Sequence, residues 1–369
     1  MLKTVILDLA RLRLNPVAVT QVREKGQLSR PHLRNPSWFL RKERKMRDNL
    51  VTSENKSFVQ EIIHDKFGPP ALIKGVASYD QTKREQLVKT DELPTDQVWT
   101  TKERRTGLIA RKIGQYPLWL KNGEKIRTTL LQIVDNHVIK YTPPEQYKPT
   151  QLPNVARLNS YGCLLVGAES CDPSTLTKEY CGLFKDSGLL PKRHLVRFLV
   201  TPNAAIPVGT PLNVGHYRVG DYIDVRGKTV DHGFQGVVKR HGFKGMPASH
   251  GVTKTHRRPG NIGGGGEKGR VWPGTKMPGH MGNRWRIAKG LRIWRINTKY
   301  NVMWVNGSAI PGSTNGLVYI YDTILPVRKH KTAPPFPTMF EQATEGPDDI
   351  WFENVHNFKN ESITFQPEE

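Results

Sequence analysis

The sequence predicts a mainly β protein, a closed or nearly closed β-barrel from which a long irregular basic extension emerges. Three observations carry this. Short apolar runs divided by turn residues recur between Gly107 and Tyr321 with few helical stretches among them. Two of those runs, VMWV at 302–305 and LVYIY at 317–321, are apolar without alternation, as strands covered on both faces would be. Between Phe234 and Arg286 neither helical nor strand periodicity is sustained, over a span far beyond the ~15 residues at which a structureless connection becomes unusual.

The chain has 369 residues of which 37% are hydrophobic, so a sizeable core is affordable, while 33 glycines and 27 prolines require much irregular chain around it. A net charge of +23 and a pI near 10.0 point to a polyanionic partner and say nothing about fold. Three cysteines, Cys163, Cys171 and Cys181, are an odd number without paired zinc-ligand spacing and read as reduced, structural thiols. No apolar run approaches the ~18 residues of a membrane span.

Taken in order, residues 1–36 read as a mitochondrial presequence and linker. Leu2, Val5, Ile6, Leu9 and Leu12 recur at helical spacing beside Lys3, Arg11 and Arg13, and Pro16 limits the helix; Asp8 departs from the acid-poor rule. Residues 37–106 form a partly helical N-terminal addition. Ser37 caps a first helix running into RKERKMRDNL, and Phe58, Val59, Ile62, Ile63 and Phe67 form the apolar stripe of a second, stopped at Gly68-Pro69-Pro70. Residues 71–106 are polar and indistinct.

The barrel core is expected over 107–228 and 287–325. Its strands are GLIARKIG at 107–114, then 129–134 and 137–141 joined as a hairpin at Asp135-Asn136, then 162–168, 195–200 and 222–225, and after the extension 291–296, 302–305 and 317–321. The extension spans 229–286, leaves near Val225 and returns near Trp285, so its two ends should lie together on the barrel while its tip reaches away.

Residues 231–295 hold 14 Lys and Arg against Asp231 and Glu267, a net +12 of the chain's +23, together with 15 glycines. That glycine content cannot keep the one-sided apolar helix that a lipid surface needs. It suits nucleic acid: glycine lets backbone approach closely, Arg and Lys meet phosphates, and Phe243, Trp272, Trp285 and the histidines offer faces to unstacked bases. The phosphate candidates are Lys239, Arg240, Lys244, Lys254, Arg257, Arg258, Lys268, Arg270, Lys276 and Arg284. His241, His250, His256, Trp272 and His280 are candidates for stacking or for hydrogen bonds to RNA oxygens. A zinc site from His241, His250 and His256 fits no standard spacing.

FQGVVKRHGFKG at 234–245, ASHGVTKTHRRPGNIG at 248–263 and GRVWPGTKMPGHMGN at 269–283 resemble, in order, the central extension of the ribosomal protein L-three family, and the likeness continues from Gly107 to about Tyr321. The resemblance implies a barrel of the translation-protein type on the large ribosomal subunit, bound to its ribosomal RNA, with an extension threading inward toward the peptidyl transferase region. It places the tip near Gly269–Met281, with Trp272, Pro273, Met277 and His280 deepest. The chain departs from the family at Gln115-Tyr116, where Met-Thr is common, at His280, where bacterial members often have Gln, and at Thr229–His232, where small and basic residues are usual. With the Arg-bearing N-terminus it implies a place in the mitochondrial matrix, in the mitochondrial ribosome, with neighbouring mitochondrial ribosomal proteins as further partners. The alternative is a free-standing mitochondrial RNA-binding or RNA-chaperone factor.

Catalysis is not expected. Gly264, Gly266 and Gly269 satisfy GxGxxG, but Pro259 precedes them and Val271-Trp272-Pro273-Gly274 follows, so no helix N-terminus is there to hold a pyrophosphate. No GxxxxGK[ST], HExxH or GxSxG occurs, and acids are scarce in the one distinctive stretch. No catalytic residue, metal ligand, cofactor or small-molecule substrate is assigned. Residues 326–369 form an acidic, irregular C-terminal addition, with eight acids against Lys359 from Ala333 onward. Its Trp351, Phe352, Phe358 and Phe365 suggest docking on a partner, or else a free tail.

Overall fold

The computed structural model describes residues 55–67, 70–73, 76–79, 98–147, 161–263, 269–339 and 347–358. The presequence, the linker, the first N-terminal helix with its basic run, Gly264 and Gly266 of the GxGxxG match, Lys268 and Phe365 lie outside these residues. The chain divides into two compact units, 1–59 with 174–177 and 60–173 with 178–369, and the described strands all lie in the second.

The second expected helix is present as α1, Lys56–Phe67. Its stripe is only partly used: Ile63 is buried, while Phe58 and Ile62 are exposed. A short antiparallel hairpin follows, β1 (Pro70–Ile73) with β2 (Val76–Tyr79), within a stretch whose sequence gives no strand signal.

Eleven further strands build two sheets. They are β3 (Leu108–Trp119), β4 (Lys125–Ile133), β5 (Asn136–Thr142), β6 (Gly162–Ser170), β7 (Lys192–Val200), β8 (Pro211–Leu212), β9 (Tyr222–Lys228), β12 (Trp285–Asn297), β13 (Val302–Asn306), β14 (Leu317–Asp322) and β15 (Asp349–Trp351). Two more, β10 (Phe234–Gln235) and β11 (Gly279–His280), pair within the extension. The larger sheet runs β13-β4-β3-β14-β9-β12-β15, and β12 also pairs with β13 from Ile293↔Val305 to Asn297↔Val302. Six strands thereby close into a ring, with β15 added outside it. The smaller sheet is β7-β6-β5-β8, with a short helix, α2 (Lys178–Gly182), between β6 and β7 in the chain. One apolar cluster joins the two sheets: Leu108, Leu131, Val225, Ile293, Met303, Val318 and Ile320 from the ring meet Val138, Leu164, Val166 and Val200 from the second sheet. β13 is buried on both faces, which explains the unbroken run VMWV, whereas β14 buries Val318 and Ile320 and leaves Leu317, Tyr319 and Tyr321 only partly covered, so its apolar run does not mark a strand enclosed on both sides.

The hairpin expected at Asp135-Asn136 is not formed. β4 pairs with β3 and β13, whereas β5 pairs with β6 and β8, so the turn carries the chain from one sheet to the other. Its cause is polar. Asp135, at φ 46°, accepts from the Ser170 amide at 3.0 Å and pairs with the Lys192 ammonium at 2.8 Å. Lys192 is wholly buried and also donates to Ser170 Oγ at 2.8 Å. Burial alone would raise the Asp135 pKa, but Lys192 and His137 hold it well below the usual carboxylate range.

β3 also differs from expectation. It does not turn at Gln115-Tyr116 but continues to Trp119, shifting register between Lys112 and Gly114. Lys112 anchors that irregularity by donating to the carbonyls of Ile310 at 2.7 Å and Gly312 at 2.9 Å. A second irregularity bends β12 between Ala288 and Leu291. There Gly290, at φ 64°, donates to the buried Asp224 carboxylate at 2.7 Å.

The acidic addition does not project from the protein over its described part. β15 continues the sheet beside β12, and Trp351 and Phe352 pack on Leu118, Trp294, Val302, Trp304 and Val355. Arg295 lies between the rings of Trp304 (4.2 Å) and Trp351 (4.0 Å) and pairs with Asp349 at 2.8 Å. Phe358 meets Trp119 edge-on. Trp351 and Phe352, two of the four aromatics that suggested a partner, thus cover the chain's own sheet, because Trp294, Val302 and Trp304 make the outer face of β12 and β13 apolar, while Phe358 stays largely exposed.

The described part of the chain after β14 is held by a buried polar cluster. Arg105 has a fully buried side chain, pairs with Asp322 at 2.7 Å and donates to the Pro335 carbonyl at 2.7 Å. His330 sits between Asp221 (3.3 Å) and Asp322 (3.0 Å). Burial would lower its pKa, but the two carboxylates win and raise it to about 9. His216, by contrast, is driven down to about 3 by burial and by Arg105. It is neutral, donating from Nε2 to the Thr106 carbonyl and accepting at Nδ1 from Thr338. The three cysteines are free, and burial pushes Cys171 up to about 11.

Candidate nucleic-acid interface

The extension begins where β9 and β12 stop pairing, at Lys228↔Trp285, so its two ends do lie side by side on the ring. Backbone bonds carry the two arms outward together: Thr229 N to Arg284 O at 3.0 Å, His232 N to Met281 O at 2.9 Å and Met281 N to Gly233 O at 2.8 Å. β10 and β11 then pair Phe234 with His280 and Gln235 with Gly279. Gly282 is needed in this ladder. Its φ is +88°, and a Cβ there would stand 1.9 Å from the Val230 carbonyl.

Beyond the ladder lies one helical turn, α3 (Val237–His241), ended by Gly242 in the left-handed region. It packs against the returning arm: Arg240 donates to the Met277 carbonyl at 2.6 Å and His241 Nε2 to the same oxygen at 3.0 Å. Further out the order is in turns. Met246 N donates to His256 O at 2.8 Å, His256 Nδ1 bonds the Pro247 carbonyl at 3.0 Å, and Thr275 N closes on Trp272 O at 3.3 Å. Gly245 permits the first of these, since a Cβ would stand 2.4 Å from the His256 carbonyl. The extension therefore has local shape from its own bonds, more than its composition suggests.

The candidate residues divide accordingly. Lys239, Lys244, His250, Lys254, His256, Arg257, Arg258, Arg270, Trp272, Lys276, His280 and Arg284 are exposed. Arg240 and His241 are half-buried and fix α3 against Met277. Arg270 lies 5.6 Å from the Trp272 ring. Two residues expected at the deepest part of the tip are elsewhere: His280 is in β11 at the base, and Met277 lies against α3. The backbone pairing of β10 with β11 places His280, and Arg240 and His241 hold Met277; beside them the Asp231 carboxylate meets His280 Nε2 at 3.1 Å and accepts from Gly233 N at 2.8 Å. The departure at Thr229–His232 is thus an internal anchor of the base. Among the described residues no group of three His, Cys, Asp or Glu is placed to hold a metal, and no helix is long and apolar enough to cross a membrane.

Sequence reasoning missed a second basic surface at the root. Arg226 and Lys228 alternate with inward-facing Val225 and Gly227 along β9 and share an outer face with Trp285 and Tyr319. Trp285 stacks on Tyr319 with ring centroids 5.2 Å apart, and Arg226 lies 4.9 Å from the Trp285 ring. The signal was available as period-two alternation of basic and apolar residues in VRGK, but the strand was expected to stop at Val225.

Residues 197–304, which contain the whole extension, match the family model described as ribosomal protein L3. The chain is 37% identical over 251 residues to the large ribosomal subunit protein uL3m of Arabidopsis thaliana, covering 68% of this chain and 73% of that one. It is 36% identical over 220 residues to the large ribosomal subunit protein uL3 of Magnetococcus marinus, covering 60% of this chain and 97% of that one. A likeness that spans nearly all of one relative and most of another, extension and strands together, makes this chain a member of the ribosomal protein L3 family.

Proposed function

We propose that the protein is a structural constituent of the mitochondrial large ribosomal subunit. It binds large-subunit ribosomal RNA, its extension reaches toward the peptidyl transferase region, and it supports subunit assembly and translation without catalysing a step. In this reading the six-strand ring is the family's translation-protein barrel, resting on RNA at the subunit surface, and the additions at both ends meet neighbouring mitochondrial ribosomal proteins. The observation that carries it is the extension itself: a base fixed by protein hydrogen bonds, and beyond it exposed cations spaced by glycine turns. Such an arm gains affinity by releasing counterions from phosphates. Likeness to uL3m of Arabidopsis and the Arg-bearing start of the chain support the mitochondrial assignment.

Sedimentation of mitochondrial lysates through high salt tests this. A protein threaded into RNA stays with the large particle when loosely held factors are washed away. Recovery in the free pool would overturn the proposal and favour a free-standing RNA-binding or RNA-chaperone factor.

A further inference from the structure

A hollow of about 420 Å3 opens at the base of the extension, between its outgoing arm and the loop before β14. Lys228, Asp231, Trp285, Gly312, Leu317 and Tyr319 are among its walls. Its volume is that of a small-ligand pocket, and its chemistry is specific. On the outer face of the ladder Lys228 stands opposite Trp285, and Arg226 stands opposite Tyr319. Trp285 leans across β9 to stack on Tyr319, with the planes 30° apart, and remains 38% exposed. The Arg226 guanidinium and the Lys228 ammonium lie 4.9 Å and 5.9 Å from its ring. At the rim, the Asp231 carboxylate is held by Gly233 N and His280, and its side chain is half exposed.

Each part has a separate cost that a ligand would relieve. An exposed indole loses the free energy of burial, and two cations beside it repel one another. A carboxylate fixed at the opposite rim is an acceptor already oriented for an N–H donor. A nucleotide answers all three: a flat base continues the aromatic stack, a phosphate meets the cations, and the amino or imino edge of the base donates to the carboxylate. We propose that this hollow binds one unstacked nucleotide of the RNA strand, its base on the Trp285–Tyr319 platform and its phosphate on Arg226 and Lys228. The site is separate from the exposed cations of the extension, which meet phosphates alone. The proposal rests on the RNA-binding role proposed above and adds to it a defined subsite at the root.

Ultraviolet cross-linking of the intact large-subunit particle, followed by mass spectrometry of the peptides, tests both layers separately. Nucleotide adducts on Trp285 or Tyr319 are expected. Adducts on peptides of the extension with none at Trp285 or Tyr319 would overturn the hollow and leave the ribosomal role standing, whereas a protein recovered free and without adducts would overturn both. In a second arm the full-length protein is titrated with a single-stranded oligonucleotide. Loss of a stacking partner weakens binding by about fivefold to a hundredfold, so Trp285→Ala should do so while Trp285→Phe stays near wild type. Equal affinity of Trp285→Ala and wild type would overturn the site. So would displacement of the oligonucleotide by an equimolar free nucleoside monophosphate, which would make a small metabolite the occupant.

Discussion

Replacing His330 by Gln removes the charge that holds Asp221 and Asp322 together, and the structure sets both the size and the pH range of the effect. His330 has an 8% exposed side chain, 3.3 Å from Asp221 and 3.0 Å from Asp322, and titrates at about 9 instead of 6.5. Arg218 and Arg105 also face this pair of carboxylates, and neutral His216 lies behind them. A group whose pKa is raised on folding contributes fully below its unfolded value and loses that contribution as pH climbs through the folded one. At ~1.4 kcal/mol per pH unit, the loss between pH 7.5 and 9.5 is about 2 kcal/mol. Urea unfolding of the wild type and His330→Gln at both pH values measures it, because groups common to both proteins cancel in the difference. The stability gap should narrow by about 2 kcal/mol at the higher pH. A gap that stays constant, or widens, would refute a charged His330 in the fold.

Three other outcomes follow from particular contacts. Gly282→Ala, which places a Cβ against the Val230 carbonyl at φ +88°, should fray the base of the extension at a cost of at least ~1–3 kcal/mol; limited proteolysis should then cut within 230–284 while the strand core keeps its far-ultraviolet circular dichroism. Arg295→Ala removes the cation between Trp304 and Trp351 and the pair with Asp349, about 2 kcal/mol in all, and should speed amide exchange over 349–355 without changing that of β6. Asp135→Ala leaves the buried Lys192 ammonium without its carboxylate, so chemical denaturation should show a loss of about 3–5 kcal/mol, and Lys192→Met in the same chain should recover part of it.

Much of the strand content was legible because these strands are bounded by turn residues that do chemistry of their own. Gly220-Asp221 before β9 and the Asn-rich turn between β12 and β13 stop the chain where sequence says they should. What sequence could not show is which strands pair. Asp135-Asn136 has hairpin grammar, yet the lysine that pulls the turn between sheets lies 57 residues away at Lys192. Long-range polar anchors of this kind leave no local pattern. Lys112 is similar: nothing in the run around it shows that its ammonium serves the carbonyls of Ile310 and Gly312, about 200 residues away. The short hairpin of β1 and β2 and the strand β15 escaped for another reason. Each has four residues or fewer, too short for periodicity to register. In the extension, the described cations that composition singled out are exposed apart from Arg240, but composition could not place His280, since its location depends on the pairing of β10 with β11.

The two levels of order in the extension bear on how it would engage RNA. A wholly formless arm would lose the conformational freedom of every residue at the moment of binding, roughly 1–2 kcal/mol each, and phosphate contacts would have to offset all of it. Here the ladder from Lys228/Trp285 to Gln235/Gly279 and the clasp of Arg240 and His241 on Met277 are made within the protein. The direction in which the arm leaves the ring is therefore set before any partner arrives. Past this point His250 and Lys254 adopt positive φ (62° and 56°) beside Gly251, so the outer turns keep their cations exposed instead of collapsing on the core. Only that outer part would be left for RNA to fix in the proposed complex. Cutting the clasp by Arg240→Ala should accordingly weaken RNA binding by more than the charge lost, with an unchanged contribution from each remaining phosphate contact to the salt dependence, whereas Lys254→Ala should lower the salt slope by about one contact and leave the clasp intact. Equal effects of the two substitutions on both quantities would mean that the base contributes charge alone and no prior order.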